Sequence, residues 1–180
     1  MTTDKSSLND QEMMLVFNAL DTIELHDQIL TFPSEDKMIS FAEIYAYATE
    51  PSYNPSNQLL MALSEDSRVR RDFEMLLRNT APYFLPQVAA ASSGEISNRA
   101  IDGCKLTFRS SRADPKQIFV IIEISDITAS PSCLFVCPEG QPTEKVMLPR
   151  ARGGKIQLLF EADARVLRAL RDINTEVFLR

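Results

Sequence analysis

The chain has 180 residues, with 44% hydrophobic and 24% charged side chains and a formal net charge of −6. This composition is typical of a globular protein and excludes a chain that is disordered throughout. No apolar run approaches the roughly 20 residues needed to cross a bilayer. The polar start, MTTDKSSLNDQE, lacks the features of a signal peptide. We therefore expect a cytoplasmic protein without a membrane segment.

The charge is unevenly distributed along the chain. Residues 1–53 carry ten acidic side chains and only two basic ones, Lys5 and Lys37, whereas residues 95–180 carry thirteen basic and eleven acidic side chains. The acidic first part would repel nucleic acid, so direct nucleic-acid binding is not expected. The two parts would present different electrostatic fields to a partner.

The first part of the chain begins with a polar segment and two amphipathic patterns. Residues 1–9 are polar and predicted to be flexible. Apolar side chains recur at helical spacing over residues 9–25, and the same spacing returns over residues 34–49 after a boundary at Pro33. Each of these two segments is predicted to be a helix.

Two further helices are predicted before residue 82. The prolines and turn formers of EPSYNPSN end the preceding helix, and Asn54 then caps a short helix that ends near Leu63. Ser64 is predicted to cap a longer helix, which Pro82 ends. Together these patterns predict a helical domain of about four helices over residues 10–85.

The following residues mark a domain boundary. Residues 86–98, PQVAAASSGEISN, combine small side chains with Ser-Ser-Gly and lack a strong periodicity. They are predicted to be an exposed linker, and a short helix over residues 87–91 is the alternative. A β-rich domain is predicted to follow over residues 99–180.

Short strands are predicted in this last part of the chain. The most apolar one is QIFVIIEI, residues 117–124, in which apolar side chains occupy both faces. We therefore expect it to be a central strand that is covered on both sides. The other predicted strands are residues 103–109, 133–137, 145–148, 155–160 and 175–179.

Two local signals complete the predicted fold. Gly153-Gly154 is a two-residue loop of the type that closes a β-hairpin. Asp163 is predicted to cap one helix in the β-rich domain. The predicted fold class is α+β, with a small N-terminal helical bundle followed by a mainly antiparallel β-sandwich or half-barrel that contains one helix.

The sequence contains no motif typical of catalysis or metal binding. His26 is the only histidine, and it is predicted to interact with the last carbonyls of its helix. Cys104, Cys133 and Cys137 are predicted to be reduced, buried thiols. We therefore assign no catalytic residue, no metal ligand and no cofactor, and we expect a non-enzymatic protein.

Arginines of the β-rich part could bind an anionic ligand. The basic excess of this part against the acidic first part favours a site in a cleft between the two. The candidate ligand-binding residues are Arg109, Arg112, Arg150 and Arg152. A small-molecule binding protein or an uncharacterised enzyme with a site between the two halves is therefore the alternative hypothesis.

The segment IYAYATEPSYNPSNQLLMALSEDSRVRRDFEMLL combines an aliphatic-Tyr-Ala helix, a turn, a short helix and a helix that opens Ser-Glu-Asp-Ser-Arg. In this pattern, residues 39–81 resemble the helical cytoplasmic module of bacterial anti-sigma factors. The zinc-binding His and paired Cys of many members are absent, so the resemblance is to the zinc-less type. The resemblance implies a small helical bundle that clamps a sigma factor and hides its promoter-binding surface.

The main hypothesis is therefore a regulatory or partner-binding protein of the bacterial cytoplasm. Its partner would be another protein, either a sigma factor or another basic protein. A third interpretation is an accessory subunit whose β-rich part pairs with another chain through an exposed strand edge. The sequence does not define the oligomeric state. The candidate partner-binding residues are Glu35, Asp36, Glu43, Tyr45, Arg68 and Arg71.

Overall fold

The computed structural model describes residues 39–88 and 96–180 of the chain. Residues 39–180 form one compact unit. Several sequence predictions fall outside the described residues: the flexible segment 1–9, the helix over 9–25, the start of the helix over 34–49, the centre of the linker over 86–98, and the residues His26, Glu35 and Asp36.

The described residues contain four helices. Three follow one another near the start, and the fourth, which is short, lies close to the end of the chain. They are α1 (Phe41–Thr49), α2 (Asn57–Glu65), α3 (Ser67–Thr80) and α4 (Arg165–Arg171).

Side-chain caps determine where the first three helices begin. Ser40 Oγ accepts a hydrogen bond from the backbone amide of Glu43, and Ser56 Oγ accepts one from that of Leu59, both at 3.1 Å. The carboxylate of Asp66 accepts a hydrogen bond from the backbone amide of Arg68 at 2.7 Å. Each cap satisfies an amide that has no partner within its helix. The predicted caps Asn54, Ser64 and Asp163 are wrong, because Ser56, Asp66 and Ala164 occupy these positions.

Eight strands form two four-stranded antiparallel sheets. Sheet A has the order β1-β8-β5-β6, and sheet B has the order β2-β3-β4-β7. The strands are β1 (Tyr83–Leu85), β2 (Asn98–Ile101), β3 (Cys104–Ser110), β4 (Gln117–Ile124), β5 (Cys133–Pro138), β6 (Glu144–Met147), β7 (Lys155–Glu161) and β8 (Thr175–Leu179).

Two apolar cores hold these elements together. The first joins the facing sides of the two sheets and α4, and it includes Leu106, Val120, Ile122, Leu134, Val136, Ile156, Leu167 and Leu170. The second joins the other side of sheet A to the first three helices, and it includes Ile44, Tyr47, Leu59, Leu63, Phe73, Leu77, Phe135 and Phe178. The fold therefore has three layers, namely helices, sheet A and sheet B.

The predicted fold class is wrong. The expected N-terminal bundle of about four helices is replaced, in the described residues, by three helices over residues 41–80 that cover one face of sheet A. Strand β1 already lies inside the range that was predicted to be helical. The observed fold is a mixed α+β structure that is mostly β. Helical periodicity shows that each helix has an apolar face, but it does not show that a sheet covers that face.

The Gly153-Gly154 loop lies at a change of sheet. Both glycines have positive φ values of 57° and 72°, as a tight two-residue turn requires. However, the turn closes only the single bridge between Arg152 and Lys155. Strand β6, which precedes it, pairs with β5 in sheet A, whereas β7, which follows it, pairs with β4 in sheet B. The loop therefore does not join two strands of one hairpin ladder.

Arg99 on β2 links the two sheets. Its side chain is 2% exposed and donates hydrogen bonds to four carbonyls. Nε donates to Leu170 at 2.9 Å, Nη1 to Thr175 at 2.7 Å and to Pro86 at 3.2 Å, and Nη2 to Asp172. These carbonyls belong to the end of α4 and to the chain around β1 and β8. Burial lowers the pKa of the Arg99 guanidinium to about 10.

Candidate functional site

Two of the four predicted ligand-binding arginines lie together. Arg150 and Arg152 line a groove of about 680 Å³ beside strand β7, together with Pro149, Lys155 and Gln157. Both arginines are exposed. The Gly-Gly turn places Arg152 against Lys155, and their backbones exchange hydrogen bonds of 2.8 and 3.1 Å. This β7 groove therefore contains three cationic side chains at one end of an edge strand.

The other two predicted arginines lie elsewhere. Arg109 on β3 pairs with Phe119 of β4, which in turn pairs with Leu159 of β7. Leu159 is four residues along β7 from Lys155. At about 3.3 Å per residue, this is roughly 13 Å. Arg112 lies in the turn between β3 and β4, at the opposite end of sheet B from the Gly-Gly turn. The structure therefore does not form one site from all four.

One acidic side chain contacts the β7 groove. Lys155 Nζ lies 2.8 Å from Glu123 Oε1, and both side chains are substantially exposed. The hydrogen bond from Lys155 lowers the pKa of Glu123. Among the described residues, Arg150 and Arg152 form no ion pair within 4 Å, so the groove keeps positive charge for a carboxylate or phosphate.

A separate cleft does lie between the helical layer and sheet A. It has a volume of about 410 Å³, and Arg70, Arg71 and Glu74 of α3 face the end of β5 and Glu176 of β8 across it. This is the place at which the alternative hypothesis put a ligand, but different arginines line it.

The charged groups of this cleft are largely paired with one another. Arg78 Nη2 donates to both carboxylate oxygens of Glu176, at 2.6 and 2.7 Å. Arg70 donates to the carbonyls of Leu63 and Ser64 at the end of α2. Burial, and then the nearby Glu176, raise the pKa of Glu74. These contacts tie α3 to α2 and to sheet A, and they leave less free positive charge than the β7 groove has.

The predicted partner-binding residues of the helices have different surroundings. Tyr45 is 47% exposed on α1, whereas Glu43 is half-buried and accepts a hydrogen bond of 2.5 Å from Ser56. Arg68 and Arg71 lie on the exposed side of α3, and Arg71 reaches the cleft described above. Glu43 therefore joins α1 to the start of α2, and Tyr45 is free to contact a partner.

Large apolar side chains are exposed on α1 and α2. Phe41 is 66% exposed, and its ring centroid lies 6.3 Å from that of Tyr45. On α2, Met61 is 57% exposed and Leu60 is 41% exposed. We call these four residues, with Glu43, the α1–α2 surface. Tyr45 was already a candidate from the sequence, whereas Phe41, Leu60 and Met61 were missed, because helical periodicity does not distinguish an exposed apolar side chain from a buried one.

A lysine holds the end of α1 against sheet A. Lys145 Nζ donates to the carbonyls of Tyr47 and Glu50, at 3.3 and 3.1 Å. It also lies 4.9 Å from the centroid of the Tyr47 ring and 5.3 Å from that of Phe135. Burial lowers the pKa of Lys145. A cation at a helix C-terminus is stabilising, so Lys145 acts as a cap supplied by β6.

The three cysteines are free and buried, as predicted. Burial raises the pKa of Cys104 to about 11 and that of Cys137 to about 12. In the part of the chain that the structure describes, no group of three or more His, Cys, Asp or Glu side chains could hold a metal ion. No helix within these residues is both long and apolar enough to span a membrane.

Comparisons with protein-family models, with curated proteins and with solved structures find no match to this chain.

Proposed function

We propose that this protein is non-enzymatic and acts by binding another protein through the α1–α2 surface. The observation that carries the proposal is the exposure of Phe41 and Tyr45 side by side on α1. Aromatic side chains that are exposed on a folded protein are enriched at the centres of protein interfaces. On α2, Met61 and Leu60 are further exposed apolar side chains that a partner could contact.

The charge around these side chains favours a basic partner. Residues 39–67 contain Glu43, Glu50, Glu65 and Asp66 and no lysine or arginine. Acidic side chains on these two helices attract a positively charged protein and accelerate its association. A sigma factor is the partner that the resemblance of residues 39–81 to anti-sigma factors implies. The cytoplasmic location belongs to the same proposal, and the three unpaired thiols are consistent with a reducing compartment.

Site-specific photo-cross-linking in the native cell tests this function. A benzophenone amino acid replaces Tyr45 in one variant and Met61 in another, and a third variant carries it at the exposed Arg112 as the control. We expect one basic protein to cross-link at positions 45 and 61 and not at position 112. The purified complex should weaken roughly tenfold or more with Tyr45→Ala, and its association rate should fall with salt.

Two results would overturn the proposal. One is the absence of any cross-link at positions 45 and 61 above the level at position 112. The other is a purified complex whose affinity is unchanged by both Tyr45→Ala and Phe41→Ala. Both side chains are exposed, so these substitutions should leave the fold intact.

A second candidate function, the binding of a small anionic ligand, is supported by the β7 groove. Arg150 and Arg152 lie there with Lys155, and a compact phosphate or carboxylate could contact all three. A thermal-shift screen with inorganic phosphate and small dicarboxylates tests it. Saturable stabilisation that disappears in the Arg150→Ala variant supports the ligand site, and indifference of the wild-type chain removes it.

A further inference from the structure

Strand β7 is the longest edge strand in the part of the chain that the structure describes. Sheet A ends at β1 and β6, and sheet B ends at β2 and β7. Strands β1, β2 and β6 have only three, four and four residues, whereas β7 has seven. Short edge strands protect a sheet from pairing with another chain, and charges, prolines and bulges do the same. Residues 156–160 of β7 carry no charge and no proline, and their pairing with β4 has no bulge.

The backbone polarity of β7 follows from one hydrogen bond. The amide of Ile124 donates to the carbonyl of Gly154 at 2.7 Å, so these opposite residues are a hydrogen-bonded pair. Hydrogen-bonded pairs alternate along an antiparallel ladder, so the amides and carbonyls of Gln157 and Leu159 point away from β4. Within residues 39–88 and 96–180, no backbone group pairs with these two residues on that side.

The segment before the Gly-Gly turn closes this edge at one end. Arg152 lies opposite Lys155, and their backbones exchange hydrogen bonds of 2.8 and 3.1 Å. This contact is a single bridge, and among the described residues none before Arg152 pairs with β7. A strand that adds to β7 can therefore pair with Gln157 and Leu159, but it has to end or turn away before it reaches Lys155.

Positive charge lies at this closed end. Arg150, Arg152 and Lys155 line the β7 groove together with Gln157. Neither arginine has an ion pair within the described residues, whereas Lys155 pairs with Glu123. A strand antiparallel to β7 runs toward Lys155 with its carboxyl end. When its last residue lies opposite Gln157, its terminal carboxylate enters the groove, and a carboxylate is a group that the arginine fork binds well.

We propose that β7 binds the C-terminal end of another protein as an added antiparallel strand, with the terminal carboxylate in the β7 groove. A chain end stops before the place that Arg152 fills, and it also carries the negative charge that the two arginines lack. The proposal rests on the second candidate function, anion binding in the β7 groove, and it names the anion as a peptide carboxylate. It does not depend on the α1–α2 surface.

The register also specifies side chains of the bound peptide. With its last residue opposite Gln157, its third residue from the end lies opposite Leu159, on the outer face of sheet B. Leu159 is 48% exposed and pairs with the half-buried Phe119, so a large apolar side chain fits this position. The fifth residue from the end lies opposite the exposed Glu161, where a lysine or arginine provides the opposite charge.

Selection from a library of short peptides with random residues and a free C-terminal carboxylate tests the proposal. We expect the enriched peptides to carry a large apolar residue third from the end and to bind the full chain saturably in fluorescence polarisation. The same peptide with a C-terminal amide should bind roughly tenfold more weakly or worse, because the arginines lose the charge that they bind. A version extended beyond its last residue should bind as poorly, because Arg152 fills the next position.

Two substitutions separate the strand contact from the anion contact. Leu159→Pro removes an outward amide and should weaken peptide binding roughly tenfold or more, while it leaves the binding of inorganic phosphate unchanged. Proline is tolerated where an edge-strand amide faces solvent, so circular dichroism should show a folded chain. Leu159→Ala keeps that amide and should weaken the peptide less. Arg150→Ala should weaken both peptide and phosphate, and Arg112→Ala, at the other end of sheet B, is its matched control.

Hydrogen exchange locates the added strand in the wild-type chain, so it does not depend on the folding of the proline variant. The peptide should slow the exchange of the Gln157 and Leu159 amides, because these amides gain partners only in the complex. The Leu158 amide faces β4, so it is protected with or without the peptide and serves as the internal control.

Four outcomes would overturn the proposal. Stabilisation by inorganic phosphate without enrichment of any peptide would remove the peptide and leave the small-anion function in place. Indifference to both phosphate and the library would remove both functions of the β7 groove. A peptide that binds equally well with a C-terminal amide, or that leaves the exchange of the Gln157 and Leu159 amides unchanged, would bind elsewhere. Protection of these amides that follows protein concentration and not the peptide would assign the edge to a second copy of the chain.

Discussion

Strands β4 and β5 both lie in the interior of their sheets, but their outer faces have different surroundings. In β5, Leu134 and Val136 enter the core between the sheets, while Phe135 packs under the helices. All six residues of β5 are buried. In β4, one face is equally buried, but Phe119 and Ile121 on the other face are only half-buried. The three helices cover sheet A, and within residues 39–88 and 96–180 no helix packs on the outer face of sheet B.

This difference shows that other elements do not necessarily pack on both faces of a strand that has apolar residues on both faces. The outer face of β4 combines Phe119 and Ile121 with the polar Gln117 and Glu123, whereas that of β5 carries Cys133, Phe135 and Cys137. The helices pack on β5. Aromatic side chains of the helices contact Phe135 on this strand. The ring centroid of Phe135 lies 5.6 Å from that of Tyr47 and 5.5 Å from that of Phe73. Edge-to-face ring contacts add to the burial of area.

The largest expected effect compares one ring on each strand. Phe135→Ala should lower the free energy of unfolding by about 3–5 kcal/mol, because it leaves a cavity among fully buried rings. Phe119→Ala removes a half-buried ring and should cost about 1–2 kcal/mol. Chemical unfolding of both variants measures the difference. Equal losses would mean that the outer face of β4 is covered as well as that of β5.

The second prediction concerns the polar link between the sheets. Arg99→Lys should destabilise the fold by about 2–4 kcal/mol, because a lysine cannot reach the spread of carbonyls that the guanidinium contacts. Arg109→Lys, on the exposed face of β3, is the matched control and should change stability by less than about 0.5 kcal/mol. If Arg99→Lys were as mild as Arg109→Lys in urea unfolding, apolar packing alone would join the two sheets.

Alkaline pH should weaken the fold through its buried thiols. Burial raises the pKa of Cys137 to about 12, whereas an unfolded thiol ionises near its ordinary value of 9. Between these values the unfolded chain loses a proton that the folded chain retains, so stability is full below pH 9 and falls as the pH rises above it.

Guanidinium unfolding at pH 7 to 10 under reducing conditions measures this loss. Cys137→Ala, on the doubly covered strand β5, should give a shallower fall than the wild-type chain. Cys104→Ala, on sheet B, should flatten the curve by nearly as much up to pH 10, because burial raises the pKa of Cys104 to about 11 and this thiol also stays mostly neutral in the folded chain over that range. Parallel curves for the wild-type chain and Cys137→Ala would show that the Cys137 thiol does not stay neutral in the folded chain.

The smallest expected effect compares two lysines, one beside each sheet. Lys145→Ala should cost about 1–2 kcal/mol, because it removes the cap of α1 and the contact with two rings. Lys155→Ala breaks only the exposed pair with Glu123 and should change the free energy of unfolding much less than Lys145→Ala does. Thermal unfolding of the two variants would contradict this ranking if Lys155→Ala were the more destabilising.

Local patterns determined much of the secondary structure. The strands at residues 117–124 and 175–179 appear as predicted, and Cys104, Cys133 and Cys137 are buried. Helices near Thr49 and around Phe73 are also present. These features depend on side chains that are neighbours in sequence, so periodicity is sufficient to predict them. Strands β1 and β2 were missed, because YFL and NRAI are short and neither alternates between apolar and polar side chains.

The sequence could not predict the candidate sites in the same way. Arg150 and Arg152 are close in sequence and also close in space, so the basic excess of that segment was enough to find them. Nothing in the sequence indicates that Glu176 faces Arg78, or that Arg99 reaches four carbonyls far along the chain. These contacts exist only because the sheets bring distant segments together.

The sequence by itself determined which residues form helices and strands over most of the described chain, and which side chains tend to be buried, because these properties follow from spacing along the backbone. Only the tertiary structure decided that the helices cover sheet A, that the Gly-Gly turn joins two different sheets, and that β7 is an edge strand of sheet B. Side-chain periodicity shows that a face needs a partner, but the identity of the partner depends on the shape and chemistry of residues that are remote in sequence.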